Sequence, residues 1–202
     1  MNVVFDIGGV LLDWSPQRLL AQHGADVALA EALFRHKRWY QLDAGTATRA
    51  EYETEVAAAL DLERSWLSGL LDAMPHSLEP IPEVVALMRR LDEAGVPLFV
   101  LSNMPGFVSE VVLRKHDFLR LAREPVFSFE AQVNKPDAQI YRHFLARTGL
   151  SAERCLFIDD SLPNITAARA QGWQALHLPD CSPAAVSALT DSLVAAGVPA
   201  RG

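Results

Sequence analysis

Cysteine is scarce in this chain. Only Cys155 and Cys181 occur among 202 residues, and they form neither a C-x-x-C pair nor a framework. A disulfide-stapled secreted scaffold is excluded on that count, and a reducing, cytoplasmic setting is the expectation. Basic residues are also in short supply: 18 Lys and Arg stand against 25 Asp and Glu, for a net charge of −7. Binding to nucleic acid or to an anionic membrane draws on basic surface, so neither is an expected partner. No apolar run approaches the roughly 18 residues that a membrane span needs. The opening "MNVVFD" meets an acid before a signal-peptide core can develop, so no leader is expected. His23, His36, His76, His116, His143 and His177 show no metal-ligand spacing. Repeats and low-complexity segments are lacking as well, and the tail "VAAGVPARG" is expected to fray.

What is present is a core and a rhythm. Half of the residues are hydrophobic and 21% are charged, enough for one domain or one domain with an insertion. "NVVFD" at 2–6 is a short apolar run suited to a strand buried on both faces. From Pro16 to about Met74 the pattern turns helical. "SPQRLLAQHG" offers Ser15 as N-cap, Pro16 at the first helical position and Gly24 as a stop. "DVALAEALFRHKRWYQL", "TRAEYETEVAAAL" and "ERSWLSGLLDAM" carry helical spacing with no convincing strand among them. Within this stretch "RHKR" at 35–38 reads as a solvated helix face. Trp39, Tyr40 and Trp66 read as cap core, with Trp14, Trp39 or Tyr40 able to border a ligand. "LDAGTAT", around Asp43 and Gly45, reads as a structural turn with a helix start.

Pro75, Pro80 and Pro82 punctuate a return to alternating elements. Strands are expected at "VPLFVLSN", "PVFSF", "RCLFIDD" and "WQALHL". Helices are expected at "PEVVALMRRLDEAG", "PGFVSEVVLRKH", "KPDAQIYRHFLARTGL", "LPNITAARAQG" and "SPAAVSALTDSLVAAG", with Pro136 near the first turn of the third. The order predicts an α/β fold: a Rossmann-like, doubly wound parallel sheet built from residues 1–13 and 84–202, with an all-helical cap inserted at 14–83. In such sheets a ligand sits beyond the carboxyl ends of the strands.

Polar residues collect at those ends. Asp6 follows "VVF", Ser102-Asn103 follows "LFVL", and Asp159-Asp160 follows "CLFI"; Lys135 stands just before a helix in "NKPD". A parallel sheet would project all of them into one crevice. Each has a bland reading. Ser102-Asn103 can be a turn, Lys135 an exposed lysine, and Asp159-Asp160 a helix cap. Their joint occurrence favours a site. Two like charges 4 Å apart repel by roughly 4 kcal/mol at an effective dielectric of 20, so clustered carboxylates call for a proton or a cation. A hard cation with oxygen ligands, Mg²⁺, fits such a donor set.

In this order, "DIGGVLLDW", "LSN", "KPD" and "IDDSLPN" resemble the four motifs of the haloacid dehalogenase (HAD) superfamily. The helical insertion between the first two resembles its C1-type cap. The opening is similar to that of small phosphatases with Asp-X-Gly-Asn-Val, such as bacterial glucose-1-phosphate phosphatases. The resemblance implies a Mg²⁺-dependent phosphatase acting on a small phosphorylated metabolite, with a sugar phosphate expected, and working as a monomer or homodimer. Asp6 would be the nucleophile and form an aspartyl-phosphate. Lys135 and Ser102 would assist it, and Ser102, Asn103 and Lys135 would hold phosphate. Free N–H groups at the helix starts near Pro105 and Ser161 would add to that. Asp6, the carbonyl of Gly8, Asp159 and Asp160 would hold the metal, with Asp160 in direct contact, Asp159 as its close partner and Asn164 in support. Gly8-Gly9 would let the chain turn sharply. The cap would close over the crevice and choose the leaving group.

One departure from the pattern matters. Many phosphatases of the superfamily carry a second Asp two residues after the nucleophile, where this chain has Gly8. General-acid assistance is worth about 10²–10⁴-fold, so without it an anomeric sugar phosphate, with its better leaving group, is favoured. The rivals are a metal-free 2-haloacid dehalogenase using the same Asp6, a catalytically weak binding protein, and a phosphomutase. The adjacent acids Asp159-Asp160 argue against the dehalogenase, because a metal-free site gains nothing from neighbouring carboxylates.

Overall fold

Asn2–Phe5 forms β1, buried along its whole length, and the main sheet is built outward from it. The computed structural model describes residues 1–200. β2 (Leu12–Asp13) follows, then five helices: α1 (Pro16–Gln22), α2 (Leu29–Phe34), α3 (Lys37–Asp43), α4 (Arg49–Leu60) and α5 (Arg64–Ser77). β3 (Glu79–Pro80) pairs antiparallel with β2 and ties together the two ends of this helical insertion. The chain then alternates through α6 (Pro82–Glu93), β4 (Leu98–Ser102), α7 (Gly106–Lys115), β5 (Pro125–Phe127), α8 (Ser128–Ala131) and α9 (Ala138–Thr148). It closes with β6 (Cys155–Asp159), α10 (Leu162–Ala170), β7 (Gln174–His177) and α11 (Pro183–Ala195).

The sheet order is β5-β4-β1-β6-β7, parallel throughout, with Val4 of β1 opposite Phe99 on one side and Phe157 on the other. This is the doubly wound α/β arrangement expected from the sequence. Chain order reverses between β1 and β6, which is where open α/β sheets open a ligand crevice. Alternate residues of β1 serve opposite faces, as strand geometry requires. Val3 and Phe5 join an apolar cluster with Val84 and Leu91 of α6 and with Leu19, Tyr52 and Leu67 of the helical insertion. Val4 joins a second cluster with Ile140, Tyr141 and Phe144 of α9 and Ile165 of α10. No helix among the described residues is long and apolar enough to cross a membrane.

Several local expectations hold for their stated reasons. Ser15 caps α1, accepting from the amide of Arg18, with Pro16 at the first turn and Gly24 beyond the end at φ +64°. Others are corrected. The run "DVALAEALFRHKRWYQL" is two helices, because His36 is extended (ψ 143°) and its ring nitrogen accepts the Arg38 amide, capping α3. Pro75 does not punctuate the chain. It lies buried in the last turn of α5, where its missing N–H costs one hydrogen bond just before the helix stops at Ser77. Pro136 lies outside α9, whose N-cap is Asp137, accepting from the Gln139 amide at 2.8 Å. Tyr40 is 51% exposed and is no part of a core. The tail is packed rather than frayed as far as it is described. Val198 and Ala200 are buried in the first cluster, and residues 201–202 lie outside the described residues.

Candidate active site

Asp6 is the first residue past β1. Its amide donates to the carbonyl of Ile158 on the neighbouring β6, which fixes the backbone at the strand end. Its Oδ1 accepts from the amide of Ile7 at 2.7 Å and lies 2.8 Å from the ammonium of Lys135. The same ammonium donates to Asp159 Oδ2 at 2.7 Å. Asp159, at the end of β6, also accepts from Asn164 Nδ2 at 3.0 and 3.1 Å and from the amide of Ser161 at 2.8 Å. It therefore holds Ser161, the residue that precedes α10, as well as the lysine. Of the amides at this helix start, that of Ser161 is therefore occupied.

Asp160 points elsewhere. It is exposed and lines a cavity of about 220 Å³ together with Asp6, Gly8, Ser102 and Asn103. Its place is set by Gly9 at φ +76°, where a Cβ would stand 2.4 Å from Asp160 Oδ2. Gly9 therefore needs to be glycine on both counts. Gly8 has no such requirement: a Cβ there would meet nothing nearer than Trp14 Cβ at 3.6 Å. The sharp turn expected of the pair belongs to Gly9 alone.

Asn103 is engaged on both sides of its amide. Its Nδ2 donates to the carbonyl of Lys135 at 2.9 Å and its Oδ1 accepts the Lys135 amide at 2.8 Å. The side chain thus clamps the backbone that carries the lysine. Ser102 is buried at the end of β4 and faces the cavity.

The electrostatics follow from burial. Asp6 is 7% exposed and its pKa is pushed up to about 7, first by burial, with Asp159 and Asp160 adding to the rise and Lys135 opposing it. Burial also raises Asp160, with Asp159 in support. Burial disfavours the charged form of Lys135, yet Asp159 and Asp6 together hold it above its ordinary value. One cation thus faces three carboxylates. Asp6, Asp159 and Asp160 each offer an oxygen, all within 4.8 Å of one another. An all-oxygen set with excess negative charge is what a hard divalent cation needs, so the residues present fit Mg²⁺.

Apart from Asp43, the rest of the cavity is apolar. Trp14, Trp39, Met74, Leu78, Met104 and Val108 line it. A chain of edge-on aromatic contacts, Trp14–Phe34–Trp39–Tyr52 with centroids 5.2, 4.9 and 5.6 Å apart, stiffens the wall on the insertion side. Arg38 of "RHKR" pairs with Glu55 and Arg35 with Glu31, in keeping with a solvated face. One lining residue lies in the stretch that reads as a structural turn in the sequence: Asp43, at the end of α3. It is buried and its carboxyl is pushed up to about 8, chiefly by burial. The sequence did contain a signal. An acid in the last turn of a helix meets the negative end of the helix dipole, so such a placement asks for a reason.

The fold and this constellation define a class. The family model of haloacid dehalogenase-like hydrolases matches residues 1–172, and the chain belongs to that family. It is 26% identical over 177 residues to the sesquiterpene phosphatase astK of Aspergillus oryzae, covering 88% of this chain and 89% of that one. It is 28% identical over 189 residues to an (S)-2-haloacid dehalogenase of Pseudomonas fluorescens, covering 85% and 81%. Among solved structures, a HAD family enzyme, bt-2542 of Bacteroides thetaiotaomicron, in complex with magnesium and inorganic phosphate, superposes with a TM-score of 0.69 at 18% identity, covering 87% and 92%.

Proposed function

We propose that this hydrolase is a Mg²⁺-dependent phosphatase that cleaves a small phosphate monoester through an aspartyl-phosphate on Asp6, under a helical cap formed by residues 14–83. The carrying observation is the carboxylate trio around one lysine, with Asp160 turned into the cavity and outside any ion pair among the described residues. A metal-free dehalogenase has no use for that second acid.

Asp6, Asp159, Asp160 and the carbonyl of Gly8 would hold the cation. Bound Mg²⁺ would offset repulsion between a carboxylate nucleophile and a phosphate dianion and stabilise charge on the phosphoryl oxygens. Lys135 keeps Asp6 oriented for attack and supplies a second positive charge beside the transferring group. Asp159 holds Lys135 in place, and Asn103 holds its backbone. Ser102 offers a hydroxyl to phosphate. Water then hydrolyses the aspartyl-phosphate and releases inorganic phosphate.

The lining supports a leaving group with apolar surface. Trp14, Trp39, Met74 and Leu78 offer area but few partners for a set of hydroxyls. The name of the A. oryzae relative, a sesquiterpene phosphatase, points the same way. This places a sugar phosphate second.

The test is phosphate release with Mg²⁺ over a panel of alkyl, aryl and sugar phosphates, beside Asp6→Asn and an EDTA control. Turnover that vanishes in both controls supports the reading. Full wild-type turnover by Asp6→Asn would refute the nucleophile. Halide release from a 2-haloacid, indifferent to EDTA, would favour the dehalogenase.

A further inference from the structure

We propose that Asp43, from the cap, is the proton donor to the leaving oxygen and so fills the role left open by Gly8. The proposal rests on the phosphatase reading and deepens it.

Three observations place Asp43 there. Its side chain lines the same cavity as Asp6 and Asp160, and Asp6 and Lys135 lie close enough to act on its charge. It is 8% exposed and joins no ion pair among the described residues. The Trp39 indole, which itself borders the cavity, lies near enough to its carboxyl to oppose the rise in its pKa. A buried carboxyl without a cation stands more easily as the neutral acid. Its carboxyl, pushed up to about 8 by burial, is in keeping with a proton held at neutral pH.

Its backbone is tied to the catalytic core. The Asp43 carbonyl accepts from Ser128 Oγ at 2.6 Å, and the same Oγ accepts the amide of Met104 at 2.9 Å. One hydroxyl therefore spans the end of α3 and the loop that follows Ser102-Asn103. Asn134 Nδ2 donates to the Tyr40 carbonyl at 2.7 Å, one residue from Lys135. Gly45, at φ +66°, lets the turn lie against Phe129, whose carbonyl would stand 2.5 Å from any Cβ.

The step balances. As Asp6 forms its bond to phosphorus, the bond from phosphorus to the ester oxygen breaks. The Asp43 proton moves to that oxygen, so a neutral alcohol leaves and Asp43 becomes a carboxylate. In the second half, water attacks the aspartyl-phosphate and gives its proton to Asp43. Hydrogen phosphate leaves, and Asp6 and Asp43 return to their starting forms.

The experiment compares p-nitrophenyl phosphate, whose leaving group needs no proton, with 2-phenylethyl phosphate, whose alkoxide does. Both are assayed with Mg²⁺ on the whole protein, and thermal melts verify folding. Asp43→Asn is expected to lower kcat/KM for the alkyl ester by about 10²–10⁴-fold and for the nitrophenyl ester by less than about fivefold. Equal losses on both, or none on either, would overturn the proposal and leave the phosphatase reading standing. The wild type gives a separate test that needs no variant. Across aryl and alkyl phosphates its kcat/KM should depend weakly on leaving-group basicity, and a steep decline overturns the role of Asp43. A wild type that hydrolyses neither ester overturns both readings.

Discussion

Lys135 sets its ammonium 2.8 Å from Oδ1 of Asp6, with both side chains nearly sealed from solvent. The pair is completed on the far side by Asp159, so the lysine is the sole cation within this buried group. Removing it leaves two neighbouring carboxylates without a counter-charge. Breaking a buried pair by deleting one partner costs about 3–5 kcal/mol. We expect Lys135→Ala to lose stability on that order by urea titration, and to lose turnover as well. A variant as stable as the wild type would show that the acids have protonated or parted.

Gly8 and Gly9 adjoin and differ. Gly9 needs both a positive φ and the absent Cβ, whereas Gly8 has ordinary room beside Trp14. Gly8→Ala should fold and bind Mg²⁺ like the wild type. Gly9→Ala should displace Asp160 and weaken Mg²⁺ binding by at least about tenfold, the loss seen when a residue that orients a metal ligand is removed. Titration calorimetry with Mg²⁺ reads both, and equal affinities would be the contrary result.

The acid trio has a thermodynamic signature of its own. A ligand that binds only the folded state stabilises it by about 2.7 kcal/mol at a hundred times its dissociation constant. We expect millimolar Mg²⁺ to raise Tm in the wild type and to have little effect in Asp160→Asn. Melting curves with and without metal decide this without reference to any substrate.

Asp43 links pH to stability. Burial raises its carboxyl from 3.8 to about 8, so between those values the folded state holds a proton that the unfolded state has released. Stability then falls as pH rises through that window, and the penalty is absent below it. Asp43→Asn removes the titrating group. Its Tm should exceed that of the metal-free wild type by more at pH 8.5 than at pH 5, by several degrees, since about 1 kcal/mol moves Tm by roughly 2–4 °C in a chain of this size. A pH-independent difference would contradict the shift.

The parallel sheet, its winding and the positions of Asp6, Ser102, Lys135 and Asp159-Asp160 at its carboxyl edge were legible in the residues. Apolar run length, glycine and proline stops and β-α alternation are local properties of a chain. What each acid does was not. Asp159 and Asp160 are adjacent in sequence, yet one anchors the lysine and the other faces the cavity, because β6 ends between them and the chain turns into α10. The break at His36 depends on one ring nitrogen capping an amide, which periodicity does not report. The side chain of Asn103 forms a pair of hydrogen bonds with a segment 32 positions away, a pairing that no local pattern reports.

The sequence by itself determined the class of fold, the place of Asp6 at the end of the first strand, and the excess of carboxylates around it. Tertiary structure alone decided that Asp43 reaches the same cavity. An acid at the end of a helix is unusual in itself, but nothing local says what it will face. The backbone around it is held by Ser128, Asn134 and Phe129, which the fold carries to it from far along the chain.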